Sequence, residues 1–185
     1  MDRDLVVRAR AGDRDAFSQL AMASVGRLNA VARLIVRDDG RAEDAVQDAL
    51  VDAWLDLPGL RDPDRFDAWL NRLLVHACQD MARRASRRVR FEVPLEPTHE
   101  PIGPDVQYSH AVSDEIERGF RRLTIEQRAV IVLVYYLDLP LIEAAVTLGV
   151  PLGTMKSRLN RSLTALRASL EADARIPSLS AEHLA

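Results

Sequence analysis

Residues 148–163 read LGVPLGTMKSRLNRSL, and the fold turns on this stretch. Gly149 supplies a sharp turn, Pro151 is a favoured first-turn residue, and the helix that begins there is expected to run to about Leu170. At about 100° per residue, Met155, Leu159, Leu163, Leu166 and Leu170 share one face of that helix. The opposite face carries Gly153, Thr154, Ser157 and Arg161, flanked by Lys156, Arg158 and Asn160, and no acid occurs from Gly153 to Arg167. A short helix over Leu141 to Leu148, the glycine turn and this second helix together form a helix-turn-helix. That arrangement lays a polar, cationic helix in a DNA major groove.

Upstream, Ile116, Phe120 and Leu123 mark one helix, and Thr124 with Gln127 is a capping box opening another that should run through the apolar stretch to Leu137. Between Phe91 and Val112 the helical pattern stops, and Pro94, Pro97, Pro101 and Pro104 crowd beside Gly103. Proline removes an amide donor and disfavours helix in its predecessor, so an extended tether is expected there. The chain therefore divides into a helical unit over 1–90, a linker over 91–112, a second helical unit over 113–171 and a tail over 172–185.

In the first unit, Asp13 is placed to cap a helix whose apolar residues run from Phe17 to Ile35 at helical spacing, before Asp38, Asp39 and Gly40 break it. The next helix, about Ala42 to Leu57, sets Ala45, Val46, Ala49, Leu50, Ala53 and Trp54 on one face, and Pro58 and Gly59 end it. Its other side carries Asp44, Asp48, Asp52 and Asp56, spaced i, i+4, a mutually repulsive row. Such a row is either a solvated surface or a face that meets a cationic partner. A third helix, about Asp64 to Arg90, buries Phe66, Trp69, Leu70, Leu73, Leu74 and Ala77 and ends in an arginine cluster.

Composition narrows the function classes. Ala, Leu and Arg fill 74 of 185 positions and aromatics only 5%, which favours helix and argues against a β-sandwich or barrel. The net charge of −3 hides a segregation: ten acids against four bases from Arg37 to Asp67, then five arginines against Asp80 from Gln79 to Arg90. The longest apolar run, Ala129 to Leu137, is too short to span a bilayer, and Met1 to Arg10 lacks the apolar core of a secretion signal, so the expected compartment is the cytoplasm. A lone Cys78 excludes an internal disulfide. The four histidines are too dispersed for a metal motif, no nucleotide or nucleophile-elbow signature occurs, and no cofactor is expected.

In order along the chain, "RARAGDRDAFSQL", "AEDAVQDALVDAW", "FDAWLNRLLVHACQDMARR" and, after the tether, "LTIEQRAVIVLVYYLDLPLIEAAVTLGVPLGTMKSRLNRSLTALR" resemble the bacterial RNA polymerase sigma factors of the small, two-domain extracytoplasmic-function (ECF) group. The resemblance implies an all-α chain of two small domains, the C-terminal one a helix-turn-helix. Its implied partners are core RNA polymerase, through the clamp coiled coil of the largest subunit and the flap, promoter DNA, and an anti-sigma factor. By position, Asp44, Gln47, Asp48 and Asp52 would dock on the polymerase.

For the minus 10 element the resemblance points to the loop Asp56 to Arg65, including Arg61 and Arg65, and to a helix face expected to be exposed: Asn71, Arg72, Val75, His76 and Gln79. A single strand also needs a cationic backbone track, which Arg83, Arg84, Arg87 and Arg88 would extend. Duplex minus 35 DNA would be read by Gly153, Thr154, Lys156, Ser157, Arg158, Asn160 and Arg161. This chain has His76 where many relatives carry Asn, and a single glutamate, Glu143, in the helix before the recognition turn.

Two other classes fit parts of the pattern. A free-standing helix-turn-helix regulator would leave the acidic row as solvent surface or a dimer face. A metal-dependent helical enzyme using Asp44, Asp48 and Asp52 fits poorly, because one row of carboxylates needs a second helix to close around an ion.

Overall fold

The computed structural model describes residues 2–89 and 110–182, apart from the side chains at 82, 85–89, 110–115 and 173–182. Among them there is helix and no strand. The helices are α1 (Arg3–Arg10), α2 (Arg14–Val36), α3 (Asp39–Asp56), α4 (Phe66–Val89), α5 (His110–Arg121), α6 (Ile125–Ile131), α7 (Leu141–Thr147) and α8 (Leu152–Glu182). They form two compact units, the first carrying α1–α4 and the second α5, α6, α8 and the greater part of α7. The expected all-α architecture is the observed one. The tether expected over 91–112 lies for the most part outside the described residues; α5 already begins at His110.

In the first unit α2, α3 and α4 pack mutually, with α1 laid on α2. The α2 start is as expected, the Asp13 carboxylate accepting from the Ala16 amide at 3.0 Å. Its end differs in detail. Arg37 turns the chain in the left-handed region at φ 58°, and Asp38 caps α3 by accepting from the Arg41 amide at 2.8 Å, so Gly40 falls inside α3 and not in the break. Ala42, Ala45, Ala49 and Ala53 are all fully buried, and these small side chains let α3 lie close against its neighbours. α1 was not anticipated: Asp2 caps it, and Val6 and Ala9 bury its inner face.

In the second unit the capping box forms reciprocally, the Thr124 amide donating to Gln127 Oε1 at 2.9 Å and the Gln127 amide to Thr124 Oγ1 at 3.2 Å. Regular helix stops at Ile131, however, and does not run to Leu137. Residues 132–136 widen into a π turn, with the Leu137 amide reaching back five residues to the Val132 carbonyl at 3.0 Å. The extra residue in that turn leaves Tyr135 and Tyr136 exposed while Leu133 stays buried.

Gly149 takes φ 63° in the turn before α8, the backbone state that glycine adopts without a Cβ clash. α8 then runs past its expected end near Leu170 as far as Glu182, with Glu171, Ala172, Ala174 and Arg175 favouring helix over its first added turn. The expected tail is therefore largely helical, and Pro177 lies within the helix.

α5 crosses α8 closely at Gly119: a Cβ built there would sit 2.7 Å from Leu170 Cδ2 and 2.9 Å from Leu166 Cδ1. The buried Arg128 staples the α5–α6 turn by donating to the carbonyls of Phe120 (3.3 Å) and Leu123 (3.0 Å).

Candidate protein and nucleic-acid interfaces

On α3 the inward alanines turn Asp44, Gln47, Asp48 and Asp52 outward, and all four are exposed. The acidic row is not wholly unmet within its own unit. Arg84 Nη1 of α4 lies 3.8 Å from Asp48 Oδ2. Beside the row, an apolar groove of about 550 Å³ opens between α2 and α3, lined by Phe17, Val25, Leu50, Val51, Trp54 and Leu55. Trp54, expected in the core, is only half-buried and leans on Phe17 with ring centroids 5.1 Å apart. Val51 and Leu55 sit between groove and acids on the helix surface and are 52% and 66% exposed. Apolar surface of that kind, fringed by carboxylates, suits a partner helix with a greasy face and cationic flanks. Its signal lay in the i, i+4 spacing of Leu50 with Trp54 and Val51 with Leu55, on a second side of the helix.

The α4 face divides. Arg72 is exposed, and His76 and Gln79 are half-buried, so these three are available for contact. Asn71 and Val75, expected on the exposed face, are buried instead. Asn71 is drawn inward because its Oδ1 accepts from Arg27 Nη1 of α2, and Val75 is an apolar side chain that packs. Burial, followed by the Arg72 cation, pushes the His76 imidazole below its ordinary range, with Asp80 opposing, so the ring is neutral at pH 7.

Arg61 and Arg65 project from the loop before α4, Arg65 with Asp62 3.9 Å away. Arg83 and Arg84 are exposed further along, Arg83 bonded to Asp80. The side chains of Arg87 and Arg88 lie outside the described residues. Phe66 is buried and Trp69 half-buried in contact with it, ring centroids 5.9 Å apart. Cys78 is fully buried and its thiol is pushed up to about 12 by burial, which makes it unreactive.

On α8, Met155 is fully buried and turns the polar side outward. Gly153, Lys156, Ser157, Asn160 and Arg161 are exposed, with Thr154 and Arg158 half-buried. The Ser157 hydroxyl donates to the Thr154 carbonyl at 2.9 Å, and Arg161 Nε donates to the Ser157 carbonyl at 3.3 Å, which lays its stem along the helix. Five of the seven expected minus 35 residues are thus open to solvent on one helix end. Among the described residues no group of His, Cys, Asp and Glu could hold a metal ion, and no helix is long and apolar enough to cross a membrane.

Comparison with known proteins identifies the family. Residues 20–88 match the Sigma-70 region 2 family model and residues 113–166 match the Sigma-70, region 4 model, together most of the chain. The chain is 35% identical over 161 residues to the ECF RNA polymerase sigma factor SigM of Mycobacterium tuberculosis, covering 87% of this chain and 80% of that one. It is 25% identical to SigW of Bacillus subtilis across 92% of its length and 97% of SigW.

Among solved structures, CnrH in complex with the cytosolic domain of CnrY matches with a TM-score of 0.62 at 30% identity, over 93% of this chain and 98% of that one. The sigma factor RpoE of Bartonella quintana, in complex with the anti-sigma factor NepR, matches at 0.70 and 28% identity, over 85% and 98%. Two region models in sigma-factor order, on two helical units with the observed surfaces, leave one assignment: the chain belongs to the sigma-70 family, as an ECF RNA polymerase sigma factor that directs promoter-specific initiation of transcription.

Proposed function

We propose that the two units divide the work of initiation, and that residues 1–90, 91–112 and 113–171 are polymerase-binding domain, linker and minus 35 domain. Asp44, Gln47, Asp48 and Asp52, with the apolar groove beside them, dock on the clamp coiled coil of the polymerase's largest subunit, and the second unit meets the flap. Arg61 and Arg65 of the loop and Arg72, His76 and Gln79 of α4 engage the opened minus 10 strand, with Arg83, Arg84, Arg87 and Arg88 tracking its backbone. Gly153, Thr154, Lys156, Ser157, Arg158, Asn160 and Arg161 read the minus 35 duplex.

The chain supplies contacts and performs no bond chemistry of its own, and it works in the cytoplasm. The NepR complex of a solved relative supports an anti-sigma protein as a further partner. The observation that carries this reading is the opposite charge of two exposed helix faces, acidic on α3 and acid-free and basic on α8, each inside its matching region. A free-standing regulator would need only the second of these for DNA, the first being left as solvent surface or a dimer face.

Reconstitution tests it. Core polymerase mixed with the chain should co-elute with it and protect both promoter elements in a footprint. A chain that protects duplex DNA alone and ignores the polymerase would point to the regulator instead.

A further inference from the structure

A two-pronged polar link joins α2 to α4 within the first unit, and no feature of the sequence advertised it. Arg27 Nη2 donates to Asp67 Oδ1 at 2.9 Å, and Arg27 Nη1 donates to Asn71 Oδ1 at 2.5 Å. The two acceptors are one turn apart on α4, so a single planar guanidinium spans them with its two prongs. Asn71 is 5% exposed, whereas the Arg27 side chain is 35% exposed and is therefore partly shielded from water. Asn71 spends its carbonyl oxygen on α2 and lies out of reach of solvent, which is the opposite of what a base-reading amide needs.

We propose that Arg27 and Asn71 act together as positioning residues for minus 10 recognition, fixing the rotation of α4 so that Arg72, His76 and Gln79 face the strand. The inference rests on the reading of that α4 face as the minus 10 surface. On the helix wheel Gln79, Arg72 and His76 lie about 80° to 140° round α4 from Asn71, on the side away from Asp67, so any turn of the helix about its axis moves the anchored pair and that face together. Side-chain tips lie about 5–6 Å from a helix axis, so a turn of about 20° moves them by about 2 Å. That exceeds the tolerance of about 0.5 Å within which a binding constellation must be held. Apolar packing between α2 and α4 resists separation better than rotation, because it is non-directional; a two-pronged hydrogen bond is directional.

The experiment uses the full chain with purified core polymerase, in run-off transcription from promoters that differ by single bases in the minus 10 element. Arg27→Lys keeps the charge and loses the fork, and it should narrow the spread of rates between best and worst elements by about tenfold. Core polymerase affinity, whose proposed contacts are elsewhere, should stay within about twofold. Asn71→Leu, which offers no acceptor, should narrow the spread likewise. Asn71→Asp keeps an oxygen for the guanidinium and should keep the wild-type ranking. If Arg27→Lys fails to fold, the two Asn71 variants decide.

An undiminished spread with Arg27→Lys would overturn the inference. So would loss of the ranking in Asn71→Asp as complete as in Asn71→Leu, the behaviour of a direct base contact. Arg72→Ala, run in parallel, separates the two levels. If it leaves the ranking untouched, the minus 10 face is elsewhere and Arg27 has nothing to position. If it alters the ranking while Arg27→Lys does not, only the role of Arg27 falls.

Discussion

Arg84 of α4 holds its Nη1 3.8 Å from Asp48 Oδ2 of α3, so the proposed polymerase-docking row touches the cationic track proposed for the minus 10 strand. Both side chains are more than half exposed, and a surface pair of that kind stabilises the fold by at most about 1 kcal/mol. Asp48→Lys should therefore leave the unfolding midpoint nearly unchanged while weakening core polymerase binding by about tenfold, the size expected when one charge of a complementary interface is reversed. Fluorescence titration against core polymerase checks this. Unaltered affinity would remove Asp48 from the interface and leave its pairing with Arg84 as its role.

Arg161 lies exposed on α8, its stem laid along the helix by the bond to the Ser157 carbonyl. A guanidinium there that neutralises a phosphate releases counterion on binding. Arg161→Ala should reduce the slope of log affinity against log salt for a minus 35 duplex by about one unit, across all sequences alike. A loss confined to one base position would assign Arg161 to base reading, and an identical slope would remove the phosphate contact.

At Gly119 the close crossing of α5 over α8 has no room for a large side chain. Gly119→Leu must push Leu166 and Leu170 aside, and overpacking of this kind costs about 1–3 kcal/mol. The second unit should melt earlier and minus 35 binding should fall. Core polymerase binding through the first unit should persist. Calorimetry of the variant, with polymerase titration beside it, reads both, and an unshifted transition would show that the crossing is looser than described.

His76 provides a pH test. Its folded-state value is pushed below the ordinary 6.5, so the unfolded chain binds the proton more readily and the folded state is favoured once the ring is neutral in both. The contribution is complete above about pH 6.5 and is lost as pH falls through the lowered folded value. The melting temperature of the wild type should drop relative to His76→Gln as pH is lowered from 7.5 to 5.5. Parallel curves would mean that the imidazole is better hydrated than its surroundings indicate.

How much of this was legible beforehand varies with the range of the interaction. Asp13 and the Thr124–Gln127 box announce helix starts because a cap is made within four residues, and both formed as the sequence implied. Gly149 marked its turn for the same reason.

The π turn at 132–136 was hidden, since a run of nine apolar residues looks equally helical whichever carbonyl each amide chooses. α1 went unread because its buried face amounts to Val6 and Ala9, too little for a periodic pattern. Within the interfaces, charge and spacing set the α3 and α8 faces correctly outward. Asn71 and Val75 went the other way, because the burial of Asn71 depends on Arg27, a residue 44 positions distant whose proximity no local pattern encodes.

The central claim is that this chain chooses where polymerase starts. Run-off transcription with purified core polymerase on a genomic fragment library, with and without the chain, tests it most directly when the new RNA 5′ ends are mapped. A set of start sites that depends on the chain, each preceded by the same pair of upstream elements at one fixed spacing, is the predicted result. Start sites that do not change when the chain is added would contradict it.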